Sequence, residues 1–178
     1  MDRRTLVADA ALDVVAAHGM KGLTHRAVDA ASGSPAGTTS NYFRTRAALV
    51  AAAVDRLEQR DLELWSAGAD APPPADADAL ADRLATYLAA FAAEQADLTR
   101  ARFALSLADP DTVVGGHRRF MGVARAMVEA AGIDDAEERS RWLADYSDGV
   151  LLHQLTARHD EPVDVASHRR AIRRLLLD

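Results

Sequence analysis

Apolar residues recur at intervals of three and four along nearly the whole chain, and no alternation of apolar and polar positions runs beyond four residues. This spacing predicts helices and no sheet. A first helix covers residues 4–18, with Leu6, Ala10, Ala11, Val14 and Val15 on its stripe and Gly19 as its stop. Thr24 caps a second helix over 25–31, which Ser32, Gly33 and Ser34 end. Pro35 suits the first turn of a third, capped by Ser34 and running to Tyr42. Thr45 caps a longer fourth helix from 46 to about 67, whose apolar stripe (Leu49, Val50, Val54, Leu57, Leu64, Trp65) is interrupted by Asp61. Three consecutive prolines make residues 68–75 a loop. Five further helical patterns follow, at about 76–94, 98–108, 110–132, 136–155 and 163–177. The expected fold is all-α, with about nine helices.

Composition narrows the class. Alanine supplies 39 of the 178 residues, which favours close-packed helices, and the absence of cysteine excludes disulfide scaffolds, thiol nucleophiles and cysteine-ligated zinc. No apolar run is long enough to span a membrane and the first residues hold no secretory h-region, so a cytoplasmic protein without a membrane partner is expected. Neither an HExxH pair, a Glu-x-x-His, a Gly-rich phosphate loop nor a Gly-x-Ser-x-Gly elbow is present. Neither enzyme activity nor a cofactor or metal is therefore expected. The formal charge of -6 speaks against nucleic acid in bulk. Its distribution changes that: residues 1–50 carry +2 and residues 51–178 carry -8, a mildly basic module joined to an acidic remainder.

The basic module holds the candidate chemistry. Its second and third helices meet at a short Gly-containing corner, the shape of a helix-turn-helix. The third is small and polar at Gly37, Thr38, Thr39, Ser40 and Asn41, so its backbone can approach a duplex while hydroxyl and amide groups reach phosphates and base edges. Tyr42, Arg44 and Arg46 follow at its end, where a phenol and two guanidinium groups can clamp a phosphate backbone. The competing reading is a solvated turn with surface arginines, in a helical interaction or small-molecule-binding module that does not bind DNA.

The stretch from Leu23 to Leu49, LTHRAVDAASGSPAGTTSNYFRTRAAL, resembles the signature region of tetracycline-repressor (TetR) family transcriptional regulators. The resemblance joins a Thr-capped helix, a Gly turn, a Pro-x-Gly-Thr helix, a Tyr-Phe corner and an Arg-x-Ala-Ala-Leu helix start, in order. It implies a DNA-binding domain at 1–46 and a ligand-binding and dimerisation domain at 47–178. By position, Thr24 would meet a phosphate and Arg26 backbone or base. Gly37, Thr38 and Thr39 would face the major groove, Asn41 and Tyr42 would end the recognition helix, and Arg46 would supply the phosphate contact usually made by lysine, with Arg44 as an added cation. Asn41 departs from the family's usual His or Tyr, and Ser34 stands where Val is common.

The same resemblance implies a homodimer on a near-palindromic operator, most simply a repressor released by a small-molecule effector. Half-sites would lie a helical turn or a multiple apart. Apolar faces of the last two helices, Val150, Leu151, Gln154 and Leu155 with Ile172, Leu175 and Leu176, are the candidate dimer interface. Large side chains are scarce, so Trp65, Tyr87, Phe91, Phe103, Met121, Trp142 and Tyr146 are candidate effector contacts. Arg102 and His117 join them, because a cation or imidazole within an apolar stripe must find a partner or a ligand acid.

Overall fold

The structure, a computed structural model, describes residues 2–66 and 72–178, the side chains of Trp65 and Ser66 excepted. Among the described residues it holds nine α-helices and no strand: α1 Arg3–Gly22, α2 His25–Ala31, α3 Thr38–Tyr42, α4 Arg46–Ser66, α5 Ala77–Ala93, α6 Ala96–Ala108, α7 Pro110–Ala130, α8 Ala136–Leu155 and α9 Val165–Leu177. The all-α expectation holds. Most starts follow from polar side chains that accept the otherwise unpaired first N–H groups of a helix. Asp2 accepts from Arg4 N, Thr24 from Ala27 N, Thr45 from Ala48 N, Asp76 from Ala79 N and Asp164 from Ser167 N, all at 2.8–3.1 Å. Gly19 does break α1, at φ 63°, and one more turn carries the chain to Gly22. Of the expected loop at 68–75, residues 68–71 lie outside the described residues, and 72–75 are non-helical.

The chain forms two compact bodies. In the first, α1 to α4, α6 and the start of α7 share one core. Val7 and Val15 of α1, Leu23, Val28 of α2, Phe43, Leu49 and Leu57 of α4, and Leu98 and Leu105 of α6 are all buried in it. Each such side chain withdrawn from water is worth about 1.5–3 kcal/mol, so α4 and α6 hold the helix-turn-helix together. The boundary expected between residues 46 and 47 therefore runs through a single core. Arg56 of α4 adds a half-buried bond to Asp9 of α1 at 2.8 Å, and Arg102 of α6 forks onto Asp61 of α4 at 2.6 and 2.9 Å.

The second body contains α5, the rest of α7, α8 and α9. Its centre is the packing of α5 on α9, where Leu80, Ala81 and Ala85 meet Ile172 and Leu176, with Leu143 of α8 and Val128 of α7 closing the cluster. Ala81 and Ala85, four residues apart and fully buried, give α5 a flat face on which α9 can lie close. At its rim, Arg169 reaches Asp82 and Arg173 reaches Asp78, both at 2.7 Å; these pairs are half exposed, so they orient more than they stabilise. No described helix is long and apolar enough to cross a membrane.

Candidate nucleic-acid interface

The two helices of the turn are fixed by polar contacts that local sequence does not reveal. α3 begins at Thr38 rather than near Pro35, because Gly37 takes a left-handed conformation (φ 89°) as N-cap and provides no side chain to accept from the first turn. The missing acceptor comes from α2. Asp29, only 6% exposed, takes Gly37 N on Oδ2 at 2.7 Å and both Thr39 N (2.7 Å) and Thr39 Oγ1 (2.5 Å) on Oδ1. Burial alone raises the pKa of its carboxyl, but the bonds donated by Thr39 and Gly37, helped by His25, outweigh burial and hold it below the usual carboxylate value. His25 shares a 2.6 Å hydrogen bond between Nε2 and the Phe43 carbonyl, tying the start of α2 to the end of α3.

This arrangement sorts the expected DNA-contact residues. Thr39 is corrected: it is fully buried, and its hydroxyl is spent on Asp29 instead of facing a groove. Phe43, four residues on, is buried beside it. With 100° between successive helical residues, the opposite face carries Gly37 and Asn41. Ser40 is exposed beside Asn41 and belongs to the same outer face, with its hydroxyl donating to Gly37 O at 2.9 Å. Helical phase relative to Phe43 was the signal that could have selected Ser40 over Thr39. Thr38 is half-buried and donates to Pro35 O, while Tyr42 is 41% exposed. Thr24, Arg26, Arg44 and Arg46 are exposed. The His25–Phe43 bond brings the first two toward the last two. Arg46 Nη2 donates to Met20 O at 2.7 Å, which braces α4 on the end of α1 and leaves further guanidinium N–H groups for an anion. Arg4 lies over the Phe43 ring at 5.3 Å, adding a cation at the α3 end.

The effector candidates are divided between the two bodies. Arg102 and Phe103 belong to the first, and the partner that Arg102 required is Asp61, the acid that interrupted the α4 stripe. Tyr87, Phe91, His117, Met121, Trp142 and Tyr146 belong to the second. There His117 is exposed, Tyr87, Phe91 and Met121 are half-buried, and the guanidinium of Arg139 lies 5.0 Å over Trp142. The Tyr146 hydroxyl is 2.6 Å from His168 Nδ1. Burial pushes that phenol's pKa up and that imidazole's down, so the neutral pair is favoured. The Trp65 side chain lies outside the described residues.

The dimer candidates need one correction. Ile172 and Leu176 are each 1% exposed inside the chain's own α5–α9 core, so they cannot also cover a second subunit. Val150 and Leu151 are likewise buried, and Gln154, Leu155 and Leu175 are half-buried. The exposed large apolar residues of α8 and α9 are instead Trp142, Leu152, Val165 and Leu177.

A helix-turn-helix with a small polar outer face, carried on a larger all-helical chain, defines the architecture of a transcriptional-regulator fold. Residues 75–178 match the model of the tetracyclin repressor-like C-terminal domain, and the chain belongs to that family. No curated protein sequence matches. Among solved structures, a TetR-family member from Streptomyces coelicolor A3 is 26% identical over the whole of both chains, with a TM-score of 0.80. The multidrug-binding protein EbrR in complex with ethidium is 27% identical over 98% of each chain, with a TM-score of 0.73. A transcriptional regulator from Rhodococcus sp. shares the fold at 21% identity over 98% of this chain and 94% of its own (TM-score 0.75). The chain is thus a TetR-family transcriptional regulator in fold.

Proposed function

We propose that the protein is a homodimeric, cytoplasmic repressor that binds a near-palindromic DNA operator and is released by a small-molecule effector. The observation that carries the DNA reading is the outer face of α3. Ser40, Asn41 and Tyr42 are exposed there, next to Arg44 and Arg46, on a helix whose inner side is anchored to α2. Asn41 and Ser40 read base edges; Thr24, Arg26, Tyr42, Arg44 and Arg46 position the phosphate backbone. A second copy packs on the outer faces of α8 and α9, where Trp142, Leu152, Val165 and Leu177 are uncovered. EbrR has been crystallised with ethidium, proflavin and malachite green, which supports a cationic aromatic effector for this chain as well. Release is a population shift: a ligand that favours the geometry unable to bind DNA lowers operator affinity by its differential affinity alone.

The test is a titration of the full chain against the DNA flanking its own reading frame, at two salt concentrations, with ethidium binding to the DNA-free chain followed separately by fluorescence, because ethidium also intercalates into duplexes. A sequence-dependent complex that weakens with salt is expected, together with saturable binding of the dye to the chain alone. Equal affinity for flanking and random duplexes would refute it.

A further inference from the structure

A five-residue helix does not hold its own shape in water, since nucleation alone fixes more dihedrals than one turn of bonds repays. α3 is such a helix: Thr39 is its buried residue, and Phe43, just past its end, is buried beside it. Its first N–H groups need an acceptor, and Gly37 has no side chain to supply one. The acceptor is a carboxylate on the preceding helix, eight and ten residues back, with both oxygens engaged. Burying that charge is costly unless its bonds are complete, and complete bonds of this kind fix one geometry. Phe43 packing and the His25 bond to its carbonyl hold the end of α3, and the Asp29 bonds hold its start.

We propose that Asp29 is a positioning residue for base reading: its bonds to Gly37 and Thr39 set the rotation of α3 on α2, and so the direction in which Ser40 and Asn41 point. This role rests on the DNA-reading function above. Asn41 lies about 200° around the helix from Thr39, so a bond at Thr39 fixes the outer face as firmly as a contact made on it. The same bonds occupy N–H groups of the kind that bind phosphate at other helix starts. Phosphate contacts therefore fall to the α2 start and to Arg44 and Arg46, and α3 is left to read bases.

The test uses the full chain and the variants Asp29→Asn, Thr39→Val and Thr39→Ser. Hydrogen exchange at the Gly37 and Thr39 amides is measured without DNA. Affinity is then measured for a duplex that the wild-type chain enriches from a random library, and for a scrambled duplex of the same composition. Asp29→Asn should speed exchange at both amides at least tenfold and cut the preference for the enriched duplex at least tenfold, with the salt slope unchanged. Thr39→Ser keeps the hydroxyl and should behave as wild type, while Thr39→Val should lose part of the preference. Should Asp29→Asn fail to fold, Thr39→Val against Thr39→Ser decides. An enriched duplex whose preference survives both Asp29→Asn and Thr39→Val overturns the positioning role and leaves DNA reading intact. Failure of the wild-type chain to enrich any duplex overturns DNA reading, and this role with it.

Discussion

Replacing Arg102 by Met keeps most of the apolar stem and removes the charge that answers Asp61. The two side chains are 25% and 21% exposed and joined by two hydrogen bonds across α4 and α6. Breaking a fully buried pair costs about 3–5 kcal/mol, and an exposed pair contributes at most ~1 kcal/mol. A pair this far withdrawn from water falls between them, at about 2 kcal/mol. For a chain of this size that is a fall in Tm of about 4–8 °C. The pH dependence isolates the cause. Burial, the larger effect, already raises the Asp61 pKa against the pull of Arg102, and without the guanidinium it rises further. A carboxyl whose folded pKa lies above its unfolded value lends stability that is complete below the unfolded pKa and is lost as pH rises through the folded one. The deficit of Arg102→Met relative to wild type should therefore be full at pH 7 and smaller at pH 4, because acid favours the protonated Asp61, which needs no partner. Urea unfolding of both proteins at the two pH values measures it, and the common titration of the other carboxylates cancels in the difference. The same deficit at both pH values would assign the loss to packing and refute the electrostatic account.

Other expectations follow from the first body. Arg44→Ala should weaken binding to cognate and random duplexes alike and make the salt slope shallower by about one, whereas Asn41→Ala should cost about 1–3 kcal/mol on the cognate duplex only, both by titration at several salt concentrations. Gly37→Ala should lower stability by about 1 kcal/mol, measured by urea unfolding. Its added Cβ would meet nothing nearer than Ser40 Oγ at 4.0 Å, so the cost is the left-handed backbone and not a clash. Asp29 has its folded pKa below its unfolded value, so the stability it lends is present above the unfolded pKa and lost as pH falls through the folded one; in acid titration monitored by circular dichroism, Asp29→Asn should flatten that limb.

Helix positions were legible because their signals are local. A Thr or Asp before an apolar stripe places a start within a residue or two, as at Thr24, Thr45 and Asp76. α3 escaped this reading because its acceptor sits ten residues away on another helix, and a small polar residue such as Thr39 looks like a surface residue until its partner is known. Arg102 and Asp61 were each conspicuous within an apolar stripe, yet 41 residues separate them and only packing shows that they answer one another. The stripe of α9 was equally plain, but not what covers it. Ile172 and Leu176 read as well for a partner subunit as for the alanine-flattened face of α5, and the chain uses them on α5.

Net charge was the weakest guide to function, and the structure explains why at the level of single groups. Four acids offset six cations in residues 1–50. Of those acids, Asp29 is buried and spent on α3, while Asp9 is half-buried and bonded to Arg56 and Arg60. Asp2 caps α1 and, like Asp13, is exposed. The cations are the reverse: Arg3, Arg4, Lys21, Arg26, Arg44 and Arg46 are all exposed. Solvent meets the positive groups, while two of the four negative ones, Asp9 and Asp29, are turned inward to hold helices in place. The formal excess of residues 1–50 thus understates the positive charge they present, because the fold uses Asp9 and Asp29 as internal acceptors and leaves the cations outside.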